Sequence, residues 1–337
     1  MPPCLHVYTL PLLCLLTACG GGSNDSEEPV IPKPETTGHI TTSGDQILSA
    51  SETPFLLRGV NLQYGDNPTT ARPAIHAIAL TGANTVRLQL RATTTAEQLR
   101  LALDDIIAHG MVAMPMYWEE DITCHSDVAI FNNAITTLWL GRWKSVLQDE
   151  RYRGKIMLNI ANEWGSSQDY DSYITTYQQA IRALRKEGLH MPLVIDGADC
   201  GQDANSFLQG RGNQLLKQDV DKNLIFSLHA YYDNWRTSSQ IASILTQYQT
   251  AQMPLIIGEF GDDEFQREQQ HNVDHHALMQ VTAEQNIGWL AWSWKGNGSG
   301  YEVLDMSIRY SPADLTRRGE DIVYGNHGLQ ATSKPIQ

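Results

Sequence analysis

Basic residues are scarce in this chain of 337 residues, which has 24 Lys and Arg against 38 Asp and Glu and a formal net charge of −14. This balance argues against a nucleic-acid partner, because binding a phosphate backbone requires a basic face. Glycine-rich phosphate motifs are also absent, since neither G-x-G-x-x-G nor G-x-x-x-x-G-K-S/T occurs. What is present is enough apolar material for a full core, at 42% hydrophobic residues, and eight Trp and 13 Tyr that suit a groove for flat ligands such as sugar rings.

The N-terminal segment has the features of an export signal. Residues 1–18 contain no Asp, Glu, Lys or Arg, and their apolar run is too short to span a bilayer but long enough for a signal-peptide core. The run ends in Leu-Thr-Ala-Cys19-Gly, which resembles the lipobox of bacterial lipoproteins. We predict a signal peptide over 1–18, lipidation of Cys19, and a cell-envelope lipoprotein held to the membrane by lipid. The alternative is an ordinary signal peptide and a secreted protein.

The segment after Cys19 does not have the composition of a folded element. Residues 19–37 are rich in Gly, Ser, Glu and Pro and cannot bury a core, so they are predicted to form a flexible tether. The remainder, 38–337, is predicted to be one catalytic domain. No separate binding module is predicted, because the segment before the first strand is too short and polar to fold alone.

Two of the five cysteines lie in the main body, Cys124 and Cys200. In an exported protein such a pair is a candidate disulfide. Closing a loop of this size would stabilise the fold by roughly 4 to 5 kcal/mol in the chain-entropy description. The alternative is two buried free thiols.

Eight short apolar runs alternate with longer amphipathic segments from residue 55 onward. The predicted strands are Phe55–Leu62, Asn84–Leu90, Met111–Trp118, Ile156–Ala161, Met191–Asp196, Asn223–His229, Pro254–Glu259 and Gly288–Trp294. One intervening helix is marked by a capping box from Thr95 to Gln98 and closed by Gly110. Eight such units predict an α/β fold, the single-domain (β/α)8 TIM barrel. A doubly wound open sheet is the alternative, and it would usually show a glycine-rich phosphate turn.

Polar side chains close most of the predicted strands. Catalytic groups of a (β/α)8 barrel project from the C-terminal strand ends, so these residues are the functional candidates. They are Asn61, Arg87, Trp118 with Glu119, Asn162 with Glu163, Asp196, His229 with Tyr231, Glu259, and Trp292 with Trp294.

Two of these candidates are carboxylates that directly follow buried strands, Glu163 and Glu259. An unpaired charge there is costly unless it is used or hydrogen-bonded. Glycoside hydrolysis requires two such acids, one to protonate the leaving oxygen and one to act at the anomeric carbon. A separation near 5 Å would indicate retention of configuration, and a wider gap inversion. The alternative is that each acid caps the following helix.

Six segments resemble the motifs of a known family, glycoside hydrolase family 5. The strand 4, 6, 7 and 8 motifs of that family, above all in its bacterial endo-β-1,4-mannanases, are similar to Asn159–Trp164, Phe226–Tyr231, Ile256–Gly261 and Gly288–Trp294. The strand 1 and strand 2 motifs match Arg58–Asn61 and Gly82–Arg87. The resemblance extends from about residue 55 to 330 and agrees with the barrel expected from the strand pattern.

This resemblance implies a retaining mechanism and assigns roles to the two acids. By motif position, Glu163 is the general acid/base and Glu259 the nucleophile. A general acid/base needs a raised pKa and a nucleophile a lowered one. Arg87 would keep Glu259 ionised, and Tyr231 would donate to the same carboxylate.

The resemblance also assigns the surrounding polar and aromatic side chains. Asn162 would bind the 2-hydroxyl of the sugar under attack, a contact that strengthens in the transition state. His229 matches the family's histidine beside the acid/base. Trp292 would be the platform beneath the sugar ring, and Asn61 and Trp294 complete the set of substrate-binding or supporting residues.

No metal ion and no organic cofactor are expected. His271, His275 and His276 occur close together, but they lie on a predicted helix without partner ligands at a strand end. A solvated helix face is the interpretation that this placement favours.

The end of strand 3 departs from the family pattern. The family usually carries His there, followed by Asp in the mannanases, whereas this chain has Trp118 and Glu119. Trp118 is interpreted as an added stacking surface in the groove. The predicted substrate is β-1,4-mannan, galactomannan or glucomannan, and β-1,4-glucan is the alternative. A non-catalytic carbohydrate-binding lipoprotein is the third interpretation, and a monomer is expected throughout.

Overall fold

The computed structural model describes residues 36–231, 233–261, 273–310 and 314–336. The predicted signal peptide, Cys19 and nearly all of the predicted tether lie outside these residues. The described part begins with a small antiparallel hairpin of β1 (Thr41–Ser43) and β2 (Gln46–Leu48), which was not predicted. Its side chains Ile40 and Ile47 join the apolar cluster that fills the barrel interior.

Eight parallel strands form a closed barrel in the order β10-β3-β4-β5-β6-β7-β8-β9. Their bounds are β3 Arg58–Leu62, β4 Thr85–Leu90, β5 Val112–Tyr117, β6 Leu158–Asn159, β7 Leu193–Asp196, β8 Leu224–Ala230, β9 Leu255–Phe260 and β10 Gly288–Ala291. The predicted (β/α)8 fold is therefore confirmed, and all eight strands occur within or next to the predicted runs. The largest differences are that β6 has two residues instead of six, that β3 begins three residues late and that β10 ends three residues early.

Helices connect successive strands around the barrel. Their bounds are α1 Pro68–Ala71, α2 Ala74–Leu80, α3 Ala96–Ala108, α4 Val128–Ala134, α5 Lys144–Leu147, α6 Tyr170–Lys186, α7 Arg211–Gln218, α8 Ser238–Thr250, α9 His275–Glu284, α10 Arg317–Tyr324 and α11 Leu329–Thr332, with a π-helix at Ile135–Arg142. The predicted capping box at the start of α3 is present, since Thr95 and Gln98 each accept from the other's backbone N–H. Among the described residues no helix is both long and apolar enough to cross a bilayer.

Apolar side chains form two layers because strand residues alternate in direction. One layer fills the barrel interior, for example Met114 of β5, Ile225 of β8 and Leu290 of β10. The other layer lies between strands and helices. The predicted solvated face at the histidine cluster is wrong for His275, which is buried at the start of α9, and His271 lies outside the described residues.

A local irregularity in the barrel positions one of the candidate acids. The pairing of β8 with β9 passes from Leu228–Ile257 directly to His229–Glu259, so Gly258 is the extra residue of a bulge. A Cβ at Gly258 would lie 2.1 Å from the Ser227 hydroxyl oxygen, so a larger residue there would have to displace this buried hydroxyl. Bulges often re-aim side chains next to active sites. The bulge at Gly258 brings Glu259 into direct pairing with His229 on the neighbouring strand.

Candidate active site

A cleft of about 750 Å³ opens at the C-terminal ends of the strands. It is lined by six of the predicted site residues, Trp118, Asn162, Glu163, Tyr231, Glu259 and Trp292. Four more lie buried beneath it, namely Asn61, Arg87, Asp196 and His229. The strand-end rule therefore brings ten of the candidates to one site.

The two candidate acids face each other across the floor of this cleft. Glu163 follows β6 in the left-handed backbone region at φ 51°, and Glu259 lies on β9. One carboxylate oxygen of each lies within 4.8 Å of the other. Retaining glycosidases hold their two carboxyl groups about 5 to 5.5 Å apart, and inverting ones leave a wider gap for water. The arrangement fits the first geometry.

Arg87 is the centre of the hydrogen-bond network below the acids. It is fully buried on β4, and its five N–H groups all have acceptors. The acceptors are Asn159 Oδ1 at 2.8 Å, Asn61 Oδ1 at 2.9 Å, Asn162 Oδ1 at 2.8 Å, Asp196 Oδ2 at 3.1 Å and Glu259 Oε1. The guanidinium thus fixes side chains from four other strands and from the turn after β6 at once.

The carboxylate of Glu259 is held from both sides. Arg87 donates to one oxygen, and the Tyr231 hydroxyl donates to the other at 2.7 Å. Burial and the nearby charge of Glu259 raise the pKa of Tyr231 well above its ordinary value, so the phenol keeps the proton that it donates. Hydrogen bonds to an ionised acceptor are short and strong, and they fix the orientation of the carboxylate.

His229 connects the second acid to a buried aspartate. Its Nδ1 lies 2.8 Å from Glu163 Oε1, and its Nε2 lies 3.6 Å from Asp196 Oδ2. Burial lowers the pKa of His229, but the negative charges of Glu259 and Asp196 outweigh burial and raise that pKa to about 10. Burial would raise the pKa of Asp196, yet the charges of His229 and Arg87 outweigh it and hold that pKa at about 2. Both groups are therefore ionised at neutral pH.

Glu163 has the proton affinity of a general acid. Burial raises the pKa of Glu163 to about 7, with the hydrogen bond from His229 opposing and the charge of Glu259 adding to the shift. When Glu163 is protonated, the two cations Arg87 and His229 balance the two anions Asp196 and Glu259. The site is then electrically neutral, which favours holding a proton on Glu163 inside a buried cluster.

Trp118 and Glu119, which stand after the third barrel strand where the family usually has His and Asp, both contact Arg91. Trp118 lines the cleft and is half-buried, and the Arg91 guanidinium carbon lies 3.9 Å from the centre of its ring. Glu119 accepts from Ala92 N at 2.8 Å and from Arg91 Nη1 at 3.3 Å. Asp66 accepts from Arg91 Nε at 2.6 Å. One face of the indole is thus covered by a cation, and Glu119 is occupied in holding that cation.

The two tryptophans predicted at the last strand have different positions. Trp292 lines the cleft, and its ring N–H donates to Asn297 Oδ1 at 2.8 Å. Trp294 is fully buried in the apolar layer outside the barrel, so its predicted role as a substrate support is corrected to a core role. The prediction extended the strand to Trp294 and counted both tryptophans among its strand-end candidates. The strand ends at Ala291, and the alternation ends with it.

Two residues of the network had no predicted role. Asn159 and Asp196 both accept from Arg87, and Asn159 Nδ2 donates to Asp196 Oδ1 at 3.2 Å. Asp196 was a strand-end candidate, and Asn159 lies inside a motif. The signal that marks both is a polar side chain in an otherwise apolar buried strand.

Cys124 and Cys200 form a disulfide that lines the cleft. Cys124 follows the third barrel strand, β5, and Cys200 follows the fifth, β7. The Cys124 sulfur lies 3.5 Å from Glu163 Oε2.

Comparison with known proteins gives a consistent picture. Residues 48–298 match the family described as Cellulase (glycosyl hydrolase family 5). The mannan endo-1,4-beta-mannosidase of Salipaludibacillus agaradhaerens is 32% identical over 297 residues, which cover 87% of this chain and 93% of that protein. The beta-mannanase of Thermomonospora fusca, solved as a mannohexaose complex, has a TM-score of 0.78 and 28% identity over 88% of this chain and 98% of that one. The mannanase catalytic domain of Streptomyces sp. SirexAA-E has a TM-score of 0.79 and 26% identity, over 89% of this chain and 94% of that one.

Proposed function

This chain belongs to glycoside hydrolase family 5, and from that membership we propose that it is a retaining, endo-acting β-1,4-mannanase. The observation that carries the proposal is the pair Glu163 and Glu259, with carboxylate oxygens within 4.8 Å at the mouth of the barrel. The relatives named above are mannan endo-1,4-beta-mannosidases and mannanases, which supports mannan as the substrate.

The reaction proceeds in two steps, formation of a glycosyl–enzyme and its hydrolysis. Glu259 attacks the anomeric carbon while Glu163 transfers its proton to the leaving glycosidic oxygen, so a glycosyl–enzyme ester forms and the C–O bond to the leaving sugar breaks. Glu163, now ionised, then removes a proton from water. That water displaces Glu259 from the anomeric carbon and restores both acids to their starting states.

The side chains around the acids prepare these steps. Arg87 and Tyr231 orient the attacking carboxylate by donating to both of its oxygens. Asn162 accepts from Arg87 through its oxygen at 2.8 Å and donates one amide hydrogen to Thr123 Oγ1 at 3.3 Å, and its second amide hydrogen would donate to the sugar 2-hydroxyl. Trp292 offers its ring to the sugar from the cleft wall.

The substrate is tested by hydrolysis of galactomannan, glucomannan and carboxymethyl cellulose in parallel. We expect rapid reducing-sugar release from both mannans, with an early fall in viscosity because cleavage is internal. β-1,4-Glucan is the second candidate, since the third barrel strand lacks the His and Asp of the mannanases. Release confined to cellulose would establish that candidate, and no release from any substrate would favour a binding protein.

Activity is expected to depend on pH through the protonation of Glu163. Because Glu163 must be protonated to act as an acid and its pKa is raised to about 7, kcat/KM on mannan is expected to fall as the pH rises through about 7. A 2,4-dinitrophenyl glycoside has a leaving group that needs no proton, so its kcat/KM should stay level over the same range. A fall of equal size for both substrates would contradict the assignment.

His229→Asn tests how far the charge of His229 lowers the pKa of Glu163. Asparagine keeps an N–H donor near the Nδ1 position and removes the positive charge that lowers the pKa of Glu163. We therefore expect the alkaline limb of kcat/KM to move to higher pH. The melting temperature should also fall, since Asp196 and Glu259 lose a buried counter-charge. A limb that stays in place or moves to lower pH would refute this role.

We propose further that the protein is exported and anchored through Cys19. The support is the apolar run followed by Leu-Thr-Ala-Cys19-Gly and a polar tether. In a bacterial host, the wild-type chain is expected in the membrane fraction and C19S in the soluble fraction. If the wild-type chain and C19S distribute equally between the two fractions, the lipid anchor at Cys19 is refuted and only the export proposal stands.

We also propose that the enzyme acts as a monomer. The support is that the described cleft, with both acids and their hydrogen-bond partners, is built within one chain. Light scattering during size-exclusion chromatography should give the mass of a single chain at assay concentrations.

A further inference from the structure

The backbone around Glu163 is held by two loops. The loop after β5 contributes two hydrogen bonds, from Cys124 N to Glu163 O at 3.1 Å and from Gly165 N to His125 O at 2.8 Å. The loop after β7 contributes a third, from Asp199 N to Gly165 O at 3.0 Å. The segment 163–165 therefore depends on both loops for its position.

The disulfide joins these two loops to each other. Cys124 has φ 62° and Cys200 has φ 59°, and Glu163 itself has φ 51°. Non-glycine residues in the left-handed region are strained and persist only where the surroundings hold them. With Asp199, which has φ 52°, four such residues are grouped around one covalent link, which constrains both loops.

The disulfide contacts Glu163, and the residue that follows it in the chain, Gly201, contacts His229. The Cys124 sulfur is 3.5 Å from Glu163 Oε2. The other carboxylate oxygen, Oε1, lies 2.8 Å from His229 Nδ1. The residue after Cys200, Gly201, accepts from His229 N at 2.8 Å. A Cβ at Gly201 would lie 2.6 Å from the His229 ring, so this loop also packs directly on the histidine.

A reductant in solution has access to this bond. Cys124 is exposed and Cys200 half-buried, and both line the open cleft. A small dithiol attacks one sulfur through its thiolate, forms a mixed disulfide, and is released as a cyclic disulfide when its second thiol attacks. Two electrons pass to the protein, and Cys124 and Cys200 become thiols.

We propose that the Cys124–Cys200 disulfide is a positioning element for the general acid/base, and that its reduction selectively impairs proton transfer by Glu163. This inference rests on the proposed function, since it assigns the loss to one step of that reaction. Nucleophilic attack is spared because Glu259 is held by Arg87 and Tyr231, which do not depend on the disulfide.

The test compares oxidised and dithiothreitol-reduced protein, using the full chain with C4S, C14S and C19S so that two cysteines remain. Reduction is expected to lower kcat on galactomannan about ten-fold or more, as part of the 10² to 10⁴-fold that general acid–base catalysis contributes. With a 2,4-dinitrophenyl glycoside and azide, which need neither acid nor base assistance, the loss should stay below about two-fold. The alkaline limb of the pH profile should also move in the reduced enzyme.

The matched control is the same chain with C124S and C200S added, which should behave like the reduced enzyme and be insensitive to dithiothreitol. Equal losses on both substrates would indicate a general structural role and overturn the proposal, as would unchanged kinetics after complete reduction verified by alkylation and mass spectrometry. If the oxidised enzyme acts on glucan instead of mannan, the loss of kcat on reduction is measured on glucan and compared in the same way with the loss on the 2,4-dinitrophenyl glycoside.

If the oxidised enzyme has no activity, hydrogen exchange decides the inference separately from the proposed function. Faster exchange in peptides that contain residues 163–165 after reduction supports the positioning role. Unchanged exchange there refutes it.

Discussion

Replacing Glu259 by alanine is expected to lower kcat/KM on galactomannan by on the order of 10⁴-fold or more, because the attacking group itself is removed. Water cannot substitute for it at the same rate, since among the described residues Glu259 is the carboxylate to which both Arg87 and Tyr231 donate. The measurement is reducing-sugar release at high enzyme concentration. Affinity for the polysaccharide should persist, because the cleft wall with Trp118 and Trp292 is untouched.

Glu259→Gln is the matched control for this first prediction. The amide keeps the volume and one oxygen that accepts from the buried Arg87 guanidinium, so its melting temperature should stay closer to wild type than that of Glu259→Ala. Both variants should nevertheless be inactive. Residual turnover within about ten-fold of wild type in the glutamine variant would contradict the nucleophile assignment, since such a loss is far below that of a missing nucleophile.

Glu163→Ala is expected to separate substrates by their leaving groups. On mannan, kcat should fall about 10² to 10⁴-fold, because both the proton donor and the base that activates water are lost. On a 2,4-dinitrophenyl glycoside the first step needs no proton, so the glycosyl–enzyme should accumulate as a burst of dinitrophenol. Azide should then restore steady turnover by attacking without base assistance.

The product of that rescue identifies the mechanism. A glycosyl azide of the same anomeric configuration as the substrate is expected, because azide displaces Glu259 after a first inversion. An azide of opposite configuration, or rescue in the Glu259 variant instead, would exchange the roles of the two acids. Glu163→Gln is the control that keeps side-chain volume and should behave like the alanine variant without azide.

The barrel and its acids were predictable because their signals are local. Each strand is an apolar run, and parallel strands bring their C-terminal ends to one side, so Glu163 and Glu259 had to lie on the same face. The capping box of α3 was equally readable, since it depends on residues three positions apart. Resemblance to family motifs then assigned the roles of the acids.

The remaining features depend on residues that are distant in sequence. The disulfide and the role of Asp196 follow from which loops and strands become neighbours, and Asp196 meets Arg87 across a separation of 109 positions. The burial of Trp294 depends on where β10 stops, and the first glycine after that point, Gly296, lies five residues beyond Ala291. The separation of the two acids depends on the Gly258 bulge, which appears only when β8 and β9 are paired.

The saturated guanidinium of Arg87 has a consequence for the energetics of turnover. Its acceptors come from β3, β6, β7 and β9 and from the turn after β6, so the dipoles and charges of the site are set when the barrel closes. A substrate entering the cleft therefore meets a preorganised field and does not have to align it. Because the protein dipoles do not have to reorient during the reaction, they add little reorganisation energy to the activation barrier. Fixed dipoles lower an activation barrier most under this condition.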